Sequence, residues 1–361
     1  MATDKIGWGI IGCGVISGTH VDAVEANKQA ELVQVCDIVE EKAKKVAEEH
    51  NCSYVTSIKE LLSNDDIQAV SICTPSGMHS EHAIAAARAG KHILCEKPLD
   101  ITLEKIDAMI EAAEVNDVKL AAVFQYRTYA TSQKVRQAVR NGKLGKLVLG
   151  DCYQKYFRSH EYYGSGEWRA TWELDGGGAL MNQGVHGVDL LLWIMGNVAR
   201  VSAYCRRLVR NIEVEDTSVV NLEFTNGALG TLVTTTSVTP GENIRIEIHG
   251  DNGSIKLQGN DIIQWAIEGE EEITGESTDE GTASDPTAVA ASGHTEHVRD
   301  LCEAIINDRE PAIPGREARK SVELIKAIYL SSRLGGSTVE LPLSYDDDGP
   351  GIYPPQTWPE W

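Results

Sequence analysis

No stretch of this chain approaches the roughly 20 consecutive apolar residues of a membrane-spanning helix. Its apolar opening, "GWGIIGCGVI", is short and broken by glycines, so it reads as neither a signal peptide nor an anchor. None of the eight cysteines (Cys13, Cys36, Cys52, Cys73, Cys95, Cys152, Cys205 and Cys302) belongs to a C-x-x-C pair. That spacing excludes a zinc cluster and a disulfide framework and leaves reduced core thiols, with the cytoplasm as the expected compartment. Basic residues are scarce: 33 Lys and Arg stand against 54 Asp and Glu, a formal charge of −21. A field of that sign repels nucleic acid and anionic membranes, so neither is an expected partner. Part of the acidity is local. Residues 268 to 285, "EGEEEITGESTDEGTASD", hold eight acids and no base, and read as a solvated loop, with an acidic docking tail as the second reading. There is no internal repeat.

What is present is a clear change of pattern. The 361 residues suggest about two domains. From residue 5 to 123, apolar runs ("KIGWGII", "ELVQVCD", "QAVSICT", "HILCE", "KLAAVFQ") alternate with helical patterns such as "VEEKAKKVAEEH" and "TLEKIDAMIEAAEVND". Apolar runs without strict alternation, separated by amphipathic helices, indicate a parallel sheet covered on both faces. The expectation is a doubly wound α/β domain over residues 1–123. Residues 124–361 are expected to form an α+β domain on a large, mostly antiparallel open sheet. Its strand-like runs include "LVLGDCYQKYF", "TSVVNLEF" and "NIRIEIHG", and "FTNGALGTL" and "HGDNGSIKL" carry Asn-Gly turn signals. Two late helices are expected near 294–307 and 316–334. The Trp- and Pro-rich end, "YDDDGPGIYPPQTWPEW", is too apolar for a loose tail and is expected to pack on something.

The first strand runs into "GCGVISG", giving Gly12-x-Gly14-x-x-Ser17 where a dinucleotide fingerprint has Gly, Gly, and Gly or Ala. The first glycine allows the tight turn and the second lets backbone amides approach a pyrophosphate. Ser17 is still small. Val15 and Ile16 open the helix and join the cofactor set. Asp37 ends the second strand, 23 residues after Gly14, near the distance expected of a ribose-binding carboxylate. A carboxylate there repels a 2′-phosphate, and the following Ile38, Val39, Glu40 and Glu41 supply no arginine, so the cofactor reads as NAD rather than NADP. Thr74, Pro75 and Ser76 fall at the carboxyl end of the fourth strand, where ligands of such sheets lie. Ser76 has a helix cap as its alternative role. His79 fits either a cap or a ribose contact.

Two further stretches carry chemistry. In "HILCEKPLD", residues 92 to 100, a buried strand runs out into Glu96, Lys97 and Pro98, which is either a strand reaching solvent or the edge of a site. In "ELDGGGALMNQGVHGVDLLLW", residues 173 to 193, Asn182, His186 and Asp189 are spaced four and three apart and share one helical face. His294 and His297 in "GHTEHVRDL" are three apart, but no third metal ligand is evident. They read as a capped helix start, with His294 an outside candidate for substrate contact and no metal expected.

The G-x-G near the amino terminus, "CTPSGMH", "CEKPL" and "GGGALMNQGVHGVDLLLW", in this order and spacing, resemble the Gfo/Idh/MocA family of glucose–fructose oxidoreductase and inositol dehydrogenase. The likeness covers nearly the whole chain, and E-K-P is its most specific element. The resemblance implies that Lys97 lies between the nicotinamide and the sugar carbon that is oxidised, and works with His186. A lysine partly desolvated beside a positive nicotinamide suits general-base work. Glu96 would orient Lys97 or touch the nicotinamide ribose, and Gln125 and Tyr126 would approach the nicotinamide and substrate. Trp168 and Arg169 resemble the family's substrate loop, with a packed loop as the alternative. Where inositol dehydrogenase-like members have Asp four residues before the histidine, this chain has Asn182, which orients but cannot relay a proton.

The expected activity is NAD-dependent oxidation of a ring hydroxyl of a sugar, glycoside or polyol to a ketone, including 3-keto sugars, or the reverse. A trans-dihydrodiol or imine reductase, and a non-catalytic NAD-binding regulator, stay open as alternatives. The family likeness also implies a homo-oligomer, a dimer or tetramer.

Overall fold

In the computed structural model, residues 5–276, 283–284 and 292–344 are described. The described residues fall into two compact units. The first runs to Gln125 and takes in the residues from the later helix up to Arg319, and the second takes Tyr126 onward and resumes at Lys320.

The first unit is built on six parallel strands: β1 (Ile6–Ile11), β2 (Ala30–Cys36), β3 (Ser53–Val55), β4 (Ala69–Ile72), β5 (His92–Cys95) and β6 (Leu120–Ala122). Their order is β3-β2-β1-β4-β5-β6. The chain starts in the middle and reverses direction between β1 and β4, so the carboxyl ends of these two strands flank the topological switch point where ligands of such sheets bind. Helices α1 (Val15–Glu25), α2 (Glu40–His50), α3 (Ile58–Leu62), α4 (His79–Arg88) and α5 (Leu103–Val115) connect the strands. Every residue of β1 is buried. That is why its sequence shows no alternation: a parallel strand covered on both faces has no solvent side.

The second unit follows with α6 (Ala130–Arg140), β7 (Leu147–Lys155), α7 (His160–Gly164), a π-helical turn over Ala179–Gly184 and α8 (Val185–Met195). Strands β8 (Val198–Arg206), β9 (Thr217–Phe224), β10 (Leu229–Thr235), β11 (Arg245–Gly250), β12 (Gly253–Gln258), β13 (Asp261–Ile267) and β14 (Ile273–Thr274) come next. With a late β15 (Val339–Glu340) they form a nine-stranded sheet in the order β14-β13-β12-β11-β7-β10-β9-β8-β15. Only β7 and β10 run parallel, and every other pair is antiparallel. Buried Val220, Leu222, Leu232, Ile246, Ile248, Ile255 and Leu257 alternate with more exposed neighbours, the signature of a sheet with one covered face. The β11–β12 turn consists of Asp251 and Asn252, because Gly253 already pairs with Gly250.

Two long helices, α9 (Ser292–Ile306) and α10 (Gly315–Arg333), lie close to their expected positions. A single cut at 123/124 does not describe the units, because α9 returns to the first. Its Val298, Leu301 and Cys302 are buried in the same apolar cluster as Trp8, Ile10, Val21 and Val24. The acidic stretch is not all loop: Ile273 and Thr274 pair with β13, and Glu270 binds Lys143 Nζ at 2.5 Å and Trp265 Nε1 at 2.9 Å. The Trp- and Pro-rich end lies outside the described residues. All eight cysteines are free thiols. No helix among the described residues is long and apolar enough to cross a membrane.

Candidate functional site

In the first unit, the carboxyl ends of β1, β2, β4 and β5 carry the nucleotide-type features. Gly12 adopts φ +94°, and a Cβ there would lie 2.9 Å from the Cys73 carbonyl group, so only glycine fits beside β4. At Gly14 a Cβ would meet nothing within 4 Å, which leaves an open cradle at the start of α1. No side chain caps α1 and no acid lies in its first turn. An uncapped helix start following a Gly-x-Gly turn suits a pyrophosphate. Val15 is 79% exposed, whereas Ile16 is partly buried against the core cluster. Ser17 is buried and donates from Oγ to the Gly14 carbonyl at 2.6 Å, which closes the turn as a third small residue.

Asp37 stands at the end of β2. Its two carboxylate oxygens each accept one backbone N–H at 2.8 Å, from Cys13 and from Val39. The carboxylate is thereby fixed and keeps lone pairs for ribose hydroxyls. Asp37→Ala is expected to weaken NAD binding about tenfold, the worth of one hydrogen bond to a charged group, and to relax discrimination against NADP. Titration of both nucleotides against both proteins checks this. Equal affinity of the unaltered protein for NAD and NADP would remove the argument. Ile38, the residue after Asp37, is 84% exposed. The sequence reading used that position only for its lack of charge.

Thr74, Pro75 and Ser76 lie at the carboxyl end of β4, with Thr74 Oγ1 3.1 Å from His82 Nδ1. His79 is not available as a ribose contact. It is buried, its Nδ1 lies 2.8 Å from the Pro98 carbonyl and its Nε2 lies 2.8 Å from the Thr74 carbonyl, so the backbone takes both ring nitrogens. Nor does Ser76 cap α4. Buried Asp100 does that work, accepting from Ser80 N at 2.9 Å and from Ile101 N at 2.6 Å.

Lys97 follows β5 after Glu96, and its bond to Pro98 is cis. Glu96 is buried. Its Oε1 meets His20 Nε2 at 2.9 Å and His294 Nε2 at 3.0 Å, and its Oε2 accepts the Lys97 amide at 3.1 Å. Burial alone would raise the Glu96 pKa, but the bonds from the two histidines outweigh it and hold the carboxyl well below its usual range. His294 is therefore an inward-facing partner of Glu96, not a substrate contact. His297, three residues on, accepts the Phe124 amide at 3.1 Å, and burial pushes its pKa down to about 3. Gln125, which ends this unit, begins a short 3₁₀ turn over Gln125–Thr128.

In the second unit, the glycine run enters the π-helical turn under the control of Glu215. Glu215 is fully buried and accepts from Gly178 N at 2.9 Å, Leu180 N at 2.8 Å and Tyr329 Oη at 3.0 Å. A Cβ on Gly178 would sit 1.7 Å from the Glu215 carbonyl oxygen, so the close approach requires glycine there. The turn and α8 are otherwise buried but for Trp193, yet Asn182 and His186 keep partial exposure. Asn182 Nδ2 donates to Asp175 Oδ1 at 2.7 Å, and Asp175 Oδ2 accepts the Ala170 amide at 2.8 Å. Buried Asp175, just before the glycines, thus fixes both Asn182 and the end of the Trp168–Arg169 loop. It was missed in the sequence reading. Asp189, third on the expected polar face, has another task. It is buried in a two-point ion pair with Arg127, at 2.7 and 2.6 Å, and also accepts from Ser321.

Around Asn182 and His186 stand aromatics and arginines. The Tyr126 ring lies 5.6 Å from the His186 ring, and Tyr126 Oη is 3.4 Å from Tyr156 Oη. Gln183 Nε2 reaches both Asn182 Oδ1 and Tyr162 Oη, and Arg169 Nη1 donates to the same Tyr162 Oη at 2.9 Å. The Arg169 guanidinium lies 4.6 Å over both the Tyr162 and the Trp168 rings. Arg158 stands over Tyr156 and Tyr162 at 5.1 and 5.5 Å.

Comparison with known proteins identifies the family of both domains. The model of an oxidoreductase family with an NAD-binding Rossmann fold matches residues 6–124, and that of the GFO/IDH/MocA C-terminal domain matches residues 132–256. The chain is 30% identical to myo-inositol 2-dehydrogenase of Thermotoga maritima over 68% of this chain and 73% of that one. Among solved structures, the WlbA dehydrogenase of Bordetella pertussis in complex with NADH and UDP-GlcNAcA is similar at 34% identity and TM-score 0.85, covering 94% of this chain and all of the other. A WlbA dehydrogenase of Chromobacterium violaceum, with the same two ligands, is similar at 35% identity and TM-score 0.86 over 96% and 98% of the two chains. The glycine turn, the aspartate after β2, the E-K-P element and the histidine helix thus sit within matched domains, and the chain belongs to the GFO/IDH/MocA family of NAD-dependent sugar and polyol oxidoreductases.

Proposed function

We propose that the protein oxidises a ring hydroxyl of an acidic, nucleotide-linked sugar to a ketone. The observation that carries this reading is Arg169. It is half-buried, shares the Tyr162 hydroxyl with Gln183, and uses two of its five N–H donors, on Ser165 Oγ and Tyr162 Oη. A guanidinium 4.6 Å from two aromatic rings, with donors to spare, suits a carboxylate or phosphate. In a chain of charge −21, a local cluster of arginines is what an anionic substrate needs. The whole-length likeness to two dehydrogenases solved with UDP-GlcNAcA supports the same class, since that compound carries both a diphosphate and a carboxylate.

NAD, when bound, supplies the hydride acceptor. Gly12, Gly14 and the open start of α1 would hold its pyrophosphate and Asp37 its adenosine ribose. Exposed Val15 and Ile38 offer apolar surface to the adenine. Lys97 takes the hydroxyl proton, and His186 shares that work with Asn182 orienting the hydroxyl. Absorbance of reduced nicotinamide tests the reading with three substrates: a nucleotide-linked uronic acid, its neutral counterpart and free inositol. The acid is expected to be preferred, and Arg169→Ala to raise its KM about tenfold or more while sparing the neutral sugar. Equal or faster turnover of the neutral compounds would refute the acidic substrate. NAD binding without turnover of any sugar would favour a regulator.

The same reading includes a homo-oligomer. On the open face of the second unit's sheet, Tyr204, Val219, Val233 and Tyr153 form one row across β8, β9, β10 and β7. Leu229, 58% exposed, lies on the same face of β10. A flat apolar row of this kind is suited to a second copy. Light scattering at micromolar concentration is expected to give a dimer or tetramer, and a monomer would end the idea.

A further inference from the structure

Beneath the E-K-P turn, in the first unit, lies a chain of buried polar groups that the proposed reaction does not use. Trp8 on β1 donates from Nε1 to Ser71 Oγ on β4 at 2.9 Å. Ser71 Oγ is also 3.0 Å from His20 Nδ1 on α1. His20 Nε2 is 2.9 Å from Glu96 Oε1, and His294 Nε2 on α9 is 3.0 Å from the same oxygen. All five residues are at most 5% exposed.

Elementary bonding rules orient the protons. An indole nitrogen only donates, so Ser71 Oγ accepts from Trp8. The serine's own proton is then free for His20 Nδ1, which makes that nitrogen the acceptor. The His20 ring proton therefore sits on Nε2 and points at Glu96. His294 must also carry a proton on Nε2 to meet the same carboxylate oxygen, and its buried Nδ1 has no partner among the described residues. Burial lowers the pKa of His20, so the ring is neutral. The cluster is one anion held by two imidazole N–H donors. The other groups facing Glu96 do not disturb that count: His297 is neutral, and burial keeps the Cys73 and Cys95 thiols protonated.

We propose that Glu96 is a positioning residue, a fixed anion whose free oxygen clamps the Lys97 amide and so sets where the Lys97 amine stands. Oε2 accepts that amide at 3.1 Å. On the far side of the same turn, His79 Nδ1 lies 2.8 Å from the Pro98 carbonyl, so the backbone before and after the Lys97–Pro98 bond is tied on both sides. This assignment rests on Lys97 as the proton acceptor of the reaction. A metal at His20, Glu96 and His294, whose ligand atoms lie within 4.8 Å of one another, is the competing use of the same side chains. The proton positions disfavour it, because every contact around Glu96 is already explained by an N–H donor, and a metal would have to displace two of them.

Glu96→Gln separates these possibilities. The amide has one oxygen and one NH₂, so it must set a donor against either the two imidazole N–H groups or the Lys97 amide. The expected results are faster hydrogen exchange at the Lys97 amide, by about tenfold or more, as its acceptor is lost. A fall in kcat of about 10- to 100-fold should accompany it, as a displaced group costs. NAD affinity should be unchanged. His294→Gln, which keeps an N–H donor, should retain activity, whereas His294→Leu should lose it. Should His294→Leu fail to fold by circular dichroism, the exchange rate in Glu96→Gln and the activity of His294→Gln still decide. Normal exchange and normal kcat in Glu96→Gln would overturn the clamp. So would stoichiometric zinc in the purified protein that is lost in His294→Gln. Lys97→Ala measured alongside keeps the two ideas apart: full activity there sinks the role of Lys97 in the reaction, while the exchange rate judges the clamp independently.

Discussion

Lys97→Ala is expected to leave NAD binding nearly intact and to cut turnover about 10²–10⁴-fold, the usual worth of a positioned acid–base group. The lysine follows a strand whose side chains are wholly buried from Ile93 to Cys95, and the neighbouring carboxylate turns inward to hold its amide. A strand that merely ran into water would not require a buried anion with two histidines to finish it. His186→Ala should do similar damage, because His186 is a partly exposed polar group on a largely buried helix. The double change should cost much less than the product of the two, since groups that act as one unit are not additive. Asn182→Asp should keep activity and alter its pH dependence, as it adds a titrating group beside buried Asp175. Single-turnover rates with a genuine substrate, together with NAD titrations, check the set. A normal rate in Lys97→Ala would make the lysine a solvated strand end after all.

How far the sequence revealed this site depended on how local each interaction is. Runs of buried residues in β1 and β4 and the spacing from Gly14 to Asp37 are local, and they led directly to the parallel sheet and the nucleotide turn. Three-residue β3 and five-residue α3 are too short for any period to show, and they were not foreseen. The partners of Glu96 are 76 and 198 residues away in the chain, so no spacing rule could join His20 or His294 to it. The same limit hid where α9 packs: it joins the first unit because of Val298, Leu301 and Cys302 rather than any mark in the preceding sequence. On the histidine helix the expected polar face was half right. Its regular spacing assumed an α-helix throughout, whereas residues 179–184 form a π-helical turn, and Asp189 is committed to Arg127. Asp175 was readable in principle, since an acid before three glycines at a helix entrance invites a capping role. Only the structure shows that it binds Asn182.

Glu215 should make the second unit less stable as pH rises. Its carboxyl is fully buried, and burial raises its pKa from 4.5 to about 7 against the opposing bonds from Leu180, Gly178 and Tyr329. In the unfolded chain the group would titrate near the ordinary value. A folded pKa above the unfolded one means that the fold binds the proton more tightly. The corresponding stability is fully present below about pH 4.5 and is lost as pH climbs through 7. A difference of 7 − 4.5 corresponds to about 3 kcal/mol as an upper order of magnitude. Glu215→Gln removes the titration and sets an NH₂ against one backbone donor, at a cost of about 1–3 kcal/mol. Denaturant unfolding from pH 4.5 to 8 should therefore show the wild-type advantage over Glu215→Gln shrinking by about 3 kcal/mol across that window. Glu215→Ala should be far worse at every pH, because it strands the Gly178 and Leu180 amides and the Tyr329 hydroxyl in a dry interior. Activity should fall with it, since those two amides fix the turn that carries Asn182 into α8 and His186. A wild-type advantage that stayed constant with pH would show that Glu215 does not titrate in this range. One that grew with pH would show that the carboxylate's three donors prevail over burial, and that the glycine entrance is held by an anion instead of an acid.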